Sequence, residues 1–428
     1  MSKVTVNFSK SIGTIKPVNG VGQPPFSGMD FSMCDYLKEA HVPFSRLHDV
    51  GGCYGRGVFV DIPNLFRVFD ADPTDPENYD FAFTDRLITA LVERGIEPFF
   101  RLGVTIENYR YIKAYRIYPP KDNLQWARIC EGVIRHYTEG WADGFTYDIR
   151  YWEIWNEPDN YKCPMQNQMW RGTKEQYFAL YEAASKHLKT TFPHLKIGGY
   201  ASCGFYAHNK ENVTEDDRYY IEFFADFLAY IRAHDCPLDF FSWHSYSTIE
   251  DVVSQAAYAR RKLDEAGYTH TEHTLNEWNS CPTLKGTYKH AALTAGMLLS
   301  LQNTSLDSAM FYDARYGIGA YAGLFNSMTA KPLPAYYAFV AFGDLYVRGT
   351  QVAVSDLPAG VYGVAAKEED GCLVLANTGD EPVSLSIEAS GAGAVTACKL
   401  VAEGVLWEDT VYDGTLPPAS ILYIRYNL

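Results

Sequence analysis

The sequence of 428 residues lacks several features that would place it outside the ordinary globular proteins. It has no run of about 18 apolar residues, which a membrane-spanning helix needs. Residues 1–8 contain no apolar core of a signal peptide. The nine cysteines are scattered singly, and none forms a C-x-x-C pair. These absences predict a cytoplasmic protein with reduced thiols and no membrane partner.

Positive charge is also scarce, because 37 Lys and Arg stand against 52 Asp and Glu, for a net charge of −15. Nucleic-acid binding relies on a basic surface, so we expect no nucleic-acid partner. The glycine-containing segment 20–25 is no dinucleotide loop, since Pro24 and Pro25 prevent a helix from starting there. His270 and His273 lack the spacing of a helical His-Glu-x-x-His metal site. We therefore expect no cofactor and no metal.

Aromatic residues are abundant at 15% of the chain. Most of them are expected to fill the core, where large rings bury the most surface. The excess also fits a carbohydrate site, in which flat ring faces stack on the C–H faces of sugars.

Short apolar segments alternate with amphipathic stretches through the first three quarters of the chain. The helical pattern at 83–95, for example, has apolar residues at i, i+4 spacing and ends at Gly95. Eight strands are predicted, at 18–22, 44–47, 98–102, 148–155, 196–201, 238–243, 273–276 and 309–312. Eight strands alternating with helices predict an α/β protein with a (β/α)8 TIM barrel, which we assign to residues 13–345.

The helical periodicity stops near Arg348, and short strands bounded by turn residues follow. Five are predicted, at 360–365, 372–376, 383–387, 395–400 and 421–426. They predict an accessory β-sandwich domain over residues 346–428. Residues 3–8 alternate like a strand, and we predict that the segment 1–12 pairs with this C-terminal domain.

Two strands end in the same dipeptide, Asn-Glu. The segments are YWEIWNEP (151–158) on the fourth barrel strand and TLNEWN (274–279) on the seventh. The C-terminal ends of barrel strands meet at one mouth, so Glu157 and Glu277 are expected to face each other there. A pair of carboxyl groups can act as general acid/base and nucleophile, which is what cleavage of a glycosidic bond requires.

Other strand ends supply candidate substrate-binding side chains, and each also has a structural explanation. Arg46 can equally pair with a carboxylate inside the barrel, and a strand-end histidine can equally be a structural hydrogen-bonding group. The residues at the ends of the last two strands can line the wall of the substrate site, or they can have only a packing role. The candidates are Arg46, His48, His244, Tyr246, Trp278, Tyr312, Asp313 and Arg315.

The segment WNEP (155–158), with a glutamate at the end of strand seven, resembles clan A of the glycoside hydrolases, which are retaining (β/α)8 enzymes. RLHD (46–49), FSWHSY (241–246) and the order of barrel and sandwich resemble family 39, the β-xylosidases and α-L-iduronidases.

The resemblance implies a role for each matching residue. Glu157 would be the general acid/base and Glu277 the nucleophile. Asn156 would hold the sugar 2-hydroxyl, and Tyr246 would orient Glu277. The first sugar subsite would be lined by His244, His48 and Arg46. The resemblance implies a glycoside substrate and no cofactor, and it is compatible with a homo-oligomer.

The predicted function is that of a retaining exo-glycosidase that hydrolyses O-glycosidic bonds of short oligosaccharides by double displacement, with β-xylosidase as the specific prediction. An α-L-arabinofuranosidase, an iduronidase-like enzyme and an endo-glycanase remain alternatives, because the loops at 104–121 and 161–172 set the subsites. The alternative from another class is a non-catalytic carbohydrate-binding protein.

Overall fold

The computed structural model describes residues 2–50, 60–106, 116–317 and 319–428. After a first strand, β1 (Ser2–Thr14), eight parallel strands close into a barrel in chain order. They are β2 (Gly20–Gly22), β3 (Phe44–Leu47), β4 (Glu97–Leu102), β5 (Tyr151–Ile154), β6 (Lys196–Ser202), β7 (Phe240–Ser245), β8 (Glu272–Trp278) and β9 (Ser308–Phe311). The predicted fourth and seventh barrel strands are thus β5 and β8. The predicted (β/α)8 barrel is confirmed.

The helices follow the strands around the barrel. They are α1 (Cys34–Glu39), α2 (Ile62–Leu65), α3 (Ala82–Val92), α4 (Asn123–Thr138), α5 (Lys174–Thr191), α6 (Glu215–Ala233), α7 (Ile249–Glu265), α8 (Tyr288–Leu301) and α9 (Tyr336–Arg348). Five of them begin after a residue whose side-chain oxygen accepts a backbone N–H, which fixes where each preceding loop ends. These capping residues are Asp122, Thr173, Thr214, Thr248 and Thr287.

The interior of the barrel is layered. Its lower end is closed by a cluster of buried apolar side chains, Phe44, Phe99, Tyr151, Phe240 and Met310. Side chains two residues apart on a strand share a face, so the next inward positions lie one layer higher. On three strands that next residue is charged, at Arg46, Arg101 and Glu153, and all three are buried. A charged layer therefore lies directly beneath the mouth of the barrel.

The C-terminal domain is one nine-stranded sheet. Its later strands are β10 (Thr350–Ser355), β11 (Val361–Lys367), β12 (Asp370–Asn377), β13 (Val383–Ser390), β14 (Val395–Ala402), β15 (Val405–Asp409), β16 (Thr415–Leu416) and β17 (Ser420–Asn427). The order is β15-β14-β17-β12-β11-β10-β1-β13-β16. One apolar core collects side chains from β14, next to one end of that order, and from β16 at the other end, so the sheet folds over on itself as a sandwich. The predicted all-β domain is confirmed.

Strand β1 lies inside this sheet. It pairs antiparallel with β10 and parallel with β13, so the beginning of the chain is part of the C-terminal domain. The opposite face of the sheet packs on the barrel through α8 and α9, where Cys372 and Val374 join the core of the barrel. The division of the chain at residues 12 and 345 remains a prediction.

No helix in the described part of the chain combines the length and the apolar character that crossing a membrane requires. The eight cysteines that the structure describes form no disulfides with one another. Cys53 lies outside the described residues.

Candidate active site

Glu157 follows β5 on a sharply turned piece of backbone. Trp155 and Glu157 have positive φ angles of 72° and 45°, an uncommon conformation for residues with side chains. Three hydrogen bonds hold it: Trp155 N–H donates to Leu102 O at 2.8 Å, Glu157 N–H to Ala201 O at 3.0 Å, and the Trp155 indole to Met169 O at 2.9 Å. The surrounding structure thus fixes a strained turn that places the Glu157 carboxyl at the barrel mouth.

Glu277 lies in β8 and faces Glu157 across the mouth. His244, from β7, stands between them, with Nδ1 at 2.7 Å from Glu157 Oε1 and 3.5 Å from Glu277 Oε2. One oxygen of Glu157 and one of Glu277 lie within 4.8 Å of each other. The two Asn-Glu strand ends therefore converge on one site.

The hydrogen bonds that Glu277 accepts are those that favour an ionised carboxylate. Arg46 Nη1 donates to its Oε1 at 2.7 Å, and the Tyr246 hydroxyl donates to its Oε2 at 2.7 Å. Only 6% of its side chain is exposed, and burial raises its pKa. The neighbouring charge of Arg46 and the Tyr246 hydrogen bond act in the opposite direction and favour the ionised form.

Glu157 has no direct contact with a cationic side chain among the described residues. Its Oε2 accepts a hydrogen bond from Asn160 at 2.9 Å, and the Cys203 thiol donates a second. Burial raises the pKa of Glu157, although these hydrogen bonds and the more distant Arg46 partly oppose that rise. Compared with Glu277, the contacts of Glu157 are better suited to a carboxyl group that carries a proton.

His244 is completely buried beside both carboxyl groups. Burial lowers the pKa of His244 to about 4, so the ring is neutral near pH 7. Its contact with Glu157 is consequently a hydrogen bond of a neutral imidazole rather than an ion pair.

Arg46 lies at the centre of the charged layer. Besides Glu277, its guanidinium contacts Glu153 through Nε at 2.8 Å and Nη2 at 2.7 Å, and Nη2 donates to Asn156 Oδ1 at 2.6 Å. Each nitrogen of Arg46 thus has a protein partner, as the structural alternative for this residue predicts. Asn156 is brought to the site by the same contact, and its binding to a sugar hydroxyl stays a prediction.

His48 and Tyr312 line another side of the mouth. His48 Nδ1 accepts a hydrogen bond from Arg101 Nε at 3.2 Å, and its Nε2 lies 3.2 Å from Asp49 Oδ1 and 4.0 Å from Glu277 Oε1. The Tyr312 hydroxyl donates to Asp49 Oδ2 at 3.1 Å and accepts from Gln23 at 2.7 Å. Both predicted residues therefore lie within this network.

The other predicted wall residues are placed differently. Trp278 is fully buried in the apolar core, with its ring 5.3 Å from that of Phe311, and this burial does not support a contact with substrate. Asp313 is buried and accepts from Arg315 Nη2 at 3.0 Å, so its charge is paired within the same loop.

Sequence reasoning missed two tyrosines beside the site. The Tyr321 ring lies 4.9 Å from that of Tyr246 and 5.5 Å from that of Tyr312, and 37% of Tyr321 is exposed. The Tyr206 hydroxyl accepts a hydrogen bond from the Tyr246 N–H at 3.2 Å. Both residues come from loops after barrel strands, where no periodicity marks them. Residues 107–115 of the loop at 104–121 lie outside the described residues.

Within the described ranges, one group of three side chains is compact enough to offer ligands to a metal: Glu157, His244 and Glu277. A cation there would stand beside the Arg46 guanidinium, which already binds Glu277, and the two like charges would repel. The residues present therefore suit a metal poorly.

Comparisons with known proteins agree with this geometry. Residues 50–297 match the model of the family described as "Glycosyl hydrolases family 39", which is more than half of the chain. Two curated relatives named Beta-xylosidase match at low identity. The one from Geobacillus stearothermophilus is 24% identical over 331 residues, covering 68% of this chain and 61% of the relative. The one from Caldicellulosiruptor saccharolyticus is 25% identical over 295 residues, covering 64% and 54%.

The chain thus spans between about half and three fifths of the length of these relatives. The crystal structure of a glucosidase from Croceicoccus marinus superposes with a TM-score of 0.81 at 21% identity, covering 100% of this chain and 99% of that one. This likeness shows that the barrel and its accessory domain occur together in a solved structure. With the family model matched across most of the barrel, the chain belongs to glycoside hydrolase family 39.

Proposed function

We propose that the protein is a retaining exo-glycosidase that acts on short oligosaccharides by double displacement, with β-xyloside as the substrate. The observation that carries the proposal is the approach of the two carboxyl groups, with one oxygen of each within 4.8 Å. Retaining enzymes hold this pair about 5–5.5 Å apart, whereas inverting enzymes need about 6.5–9.5 Å to admit a water.

In the first step, an oxygen of Glu277 forms a bond to the anomeric carbon while the bond from that carbon to the leaving oxygen breaks. Glu157 gives its proton to the leaving oxygen, so the aglycone departs as a neutral alcohol. The product is a glycosyl ester of Glu277. Tyr246 donates to the other oxygen of Glu277 and keeps the attacking oxygen aimed at the sugar.

In the second step, Glu157 takes a proton from water, whose oxygen bonds to the anomeric carbon as the ester bond breaks. The configuration is inverted twice and therefore retained. Glu157 is again protonated and Glu277 again ionised, so the free enzyme is regenerated. Asn156, beside Glu157 and fixed by Arg46, is the residue that we assign to the sugar 2-hydroxyl.

Support for xylose comes from the two curated relatives, both named Beta-xylosidase. A uronic acid would need a cation for its carboxylate, as in the iduronidase-like alternative. In the described part of the site, the buried cations Arg46 and Arg101 are already bound to carboxylates. That observation favours a neutral sugar. A cytoplasmic location and self-association are retained as predictions only.

A panel of 4-nitrophenyl glycosides that differ in sugar and anomeric configuration tests the proposal. We expect the fastest release of nitrophenol from the β-D-xyloside and none in the Glu277→Ala variant. Proton NMR of the first product formed should show the β-anomer. Release of the α-anomer first would refute retention, and no release from any glycoside would refute the enzyme proposal.

A further inference from the structure

Glu153 is a buried carboxylate to which the proposed mechanism gives no role. Glu153, in the middle of β5, has no exposed surface. Its Oε2 accepts from Arg46 through Nε and Nη2, at 2.8 and 2.7 Å. Its Oε1 accepts from Asn276 Nδ2 at 2.5 Å. Glu153 thus contacts the residue before the nucleophile and the cation that binds the nucleophile.

Arg46 consequently lies between two carboxylates, Glu153 and Glu277. Burial alone would lower the pKa of Arg46, but the charges of both glutamates raise it above its ordinary value. Because an arginine guanidinium does not lose its proton in proteins, Arg46 stays charged throughout a reaction cycle. Its positive charge is shared between one partner that takes part in the chemistry and one that does not.

Formation of the glycosyl ester changes this balance. When an oxygen of Glu277 bonds to the sugar, its negative charge is lost, and Arg46 keeps Glu153 as its carboxylate partner. A buried guanidinium without an anion is strongly destabilised.

We infer that Glu153 is a positioning residue that keeps Arg46 electrically compensated while Glu277 is esterified to the sugar. The inference rests on the proposed double displacement, because only that mechanism removes the charge of Glu277. It predicts opposite effects on the two chemical steps when the charge of Glu153 is removed.

The direction of each effect follows from the contacts. Without Glu153, Arg46 binds Glu277 alone, which stabilises the carboxylate in the free enzyme and weakens it as a nucleophile. The ester then leaves Arg46 unpaired, so formation of the intermediate is slowed twice over. Hydrolysis of the ester restores the anion beside Arg46, so breakdown of the intermediate is not slowed.

The test uses Glu153→Gln, which keeps the shape of the side chain and removes its charge. The probes are the 2,4-dinitrophenyl glycoside of the sugar that wild type prefers and the matching 2-deoxy-2-fluoro glycosyl-enzyme. We expect kcat/KM, which reports ester formation, to fall by roughly 10- to 100-fold, the effect of removing one charge beside a buried ion pair. Reactivation of the fluoro-sugar enzyme should be unchanged or faster. The acid limb of the kcat/KM profile should move to lower pH, because Arg46 then holds the Glu277 anion more firmly.

Glu153→Asp is the matched control, since it keeps the charge on a shorter side chain. Its kcat/KM should be much closer to that of wild type than the kcat/KM of Glu153→Gln. The acid limb of its kcat/KM profile should lie near that of wild type. If Glu153→Gln does not fold, Glu153→Asp serves as the test instead, because the shorter side chain holds the charge farther from Arg46. Its loss should be smaller, and it should fall on kcat/KM and leave the rate of reactivation unchanged.

Equal slowing of both steps, with the acid limb in place, would overturn the inference and leave Glu153 a purely structural residue. That result is compatible with the proposed function. A wild-type protein that releases no aglycone from any aryl glycoside would instead overturn the proposed function and this inference together.

Discussion

Two chemically identical side chains are given different surroundings at the mouth of this barrel. Glu277 has a guanidinium on one oxygen and a tyrosine hydroxyl on the other. Glu157 has an amide, a thiol and a neutral imidazole. The first set favours an anion more strongly than the second, which supports our proposal that Glu157 carries the proton.

The Glu157→Ala variant tests this assignment. We expect kcat/KM to fall by roughly 10²- to 10⁴-fold on glycosides with poor leaving groups, the usual contribution of a general acid. Dinitrophenyl glycosides, which need little protonation, should keep most of their kcat/KM. The alkaline fall of the wild-type profile should disappear, because the carboxyl group to which we assign the proton is gone. Exposed Glu265, replaced by Gln, serves as the control, and equal losses on both substrate types would contradict the assignment.

A second buried acid, Asp159, links stability to pH. Burial first, and the neighbouring Glu157 second, raise the pKa of Asp159 to about 7. A carboxyl whose pKa is higher in the folded state stabilises the fold fully below its unfolded pKa, and that stability is lost as pH rises through 7. The Asp159→Asn variant lacks this contribution. The stability advantage of wild type over the variant should therefore shrink by roughly 3 kcal/mol between pH 5 and pH 8.

Urea unfolding of wild type and Asp159→Asn at the two pH values measures that change. The same experiment on Asp356→Asn, an exposed site in the C-terminal domain, gives the background. A difference between wild type and Asp159→Asn that is constant with pH would show that Asp159 is ionised in the folded protein throughout this range.

Sequence reasoning reached Glu157 and Glu277 because each ends an apolar strand of a barrel, and the barrel rule then says where such residues meet. It did not reach Glu153. A single acid inside the apolar run of β5 shows no partner in the sequence, since Arg46 and Asn276 come from strands far away along the chain. The one available signal for Glu153 was that side chains at every second position of a strand lie on the same face.

At the scale of single elements, the helix that follows the strand leading to Glu157 depends on its first residues. Helix α5 comes directly after the loop that carries Glu157. It begins with a capping box in which Thr173 and Gln176 each bind the other's backbone N–H. The box fixes the end of the loop at 158–172 as well as the start of the helix.

Replacing Thr173 by Ala should lower the free energy of unfolding by about 1 kcal/mol, the typical loss for a removed N-cap. Thr173→Ser keeps the hydroxyl and should be close to wild type. Thermal or denaturant unfolding of the two variants measures the difference. Equal stability of the Ala and Ser variants would mean that α5 is held by packing alone.

The sequence predicts most of the helices and strands, but not the residues at which they begin and end. The predicted helix at 83–95 ends in the structure at Val92, and Gly95 lies beyond it with a φ of 74°. Strand β10 and the short strands β15 and β16 were not predicted. β10 lacks a clear alternation and is defined by its pairing with β1 and β11 rather than by its own pattern.

At the scale of the whole molecule, the C-terminal domain combines β1 with strands that follow the barrel in the sequence. Phe8 of β1 is buried in the core of the C-terminal sheet, with its ring 5.4 Å from that of Tyr426. A Cβ added at Gly371 would lie 2.4 Å from the Phe8 ring, so the ring packs directly against the backbone of Gly371. Phe8 therefore anchors the first strand to the last.

Phe8→Ala should destabilise the C-terminal domain by about 3–5 kcal/mol, the usual loss for a buried phenylalanine. Phe8→Leu should lose clearly less. Because the sheet packs on α8 and α9, we expect one unfolding transition for both domains, at a lower temperature in the Ala variant. Calorimetry with activity measured on the same samples checks this, and an unchanged midpoint would contradict it.

The position of β1 has a consequence for how the protein is made. Strand β1 leaves the ribosome before the barrel, whereas its partners β10 and β13 leave the exit tunnel only after the entire barrel. Domains usually mature during synthesis in the order in which they emerge. Here β1 must wait as an unpaired, alternating strand, which is the kind of surface that chaperones recognise and that aggregates when left exposed. The accessory domain can therefore close only after the barrel has been synthesised, so β1 is made before the barrel and pairs after it.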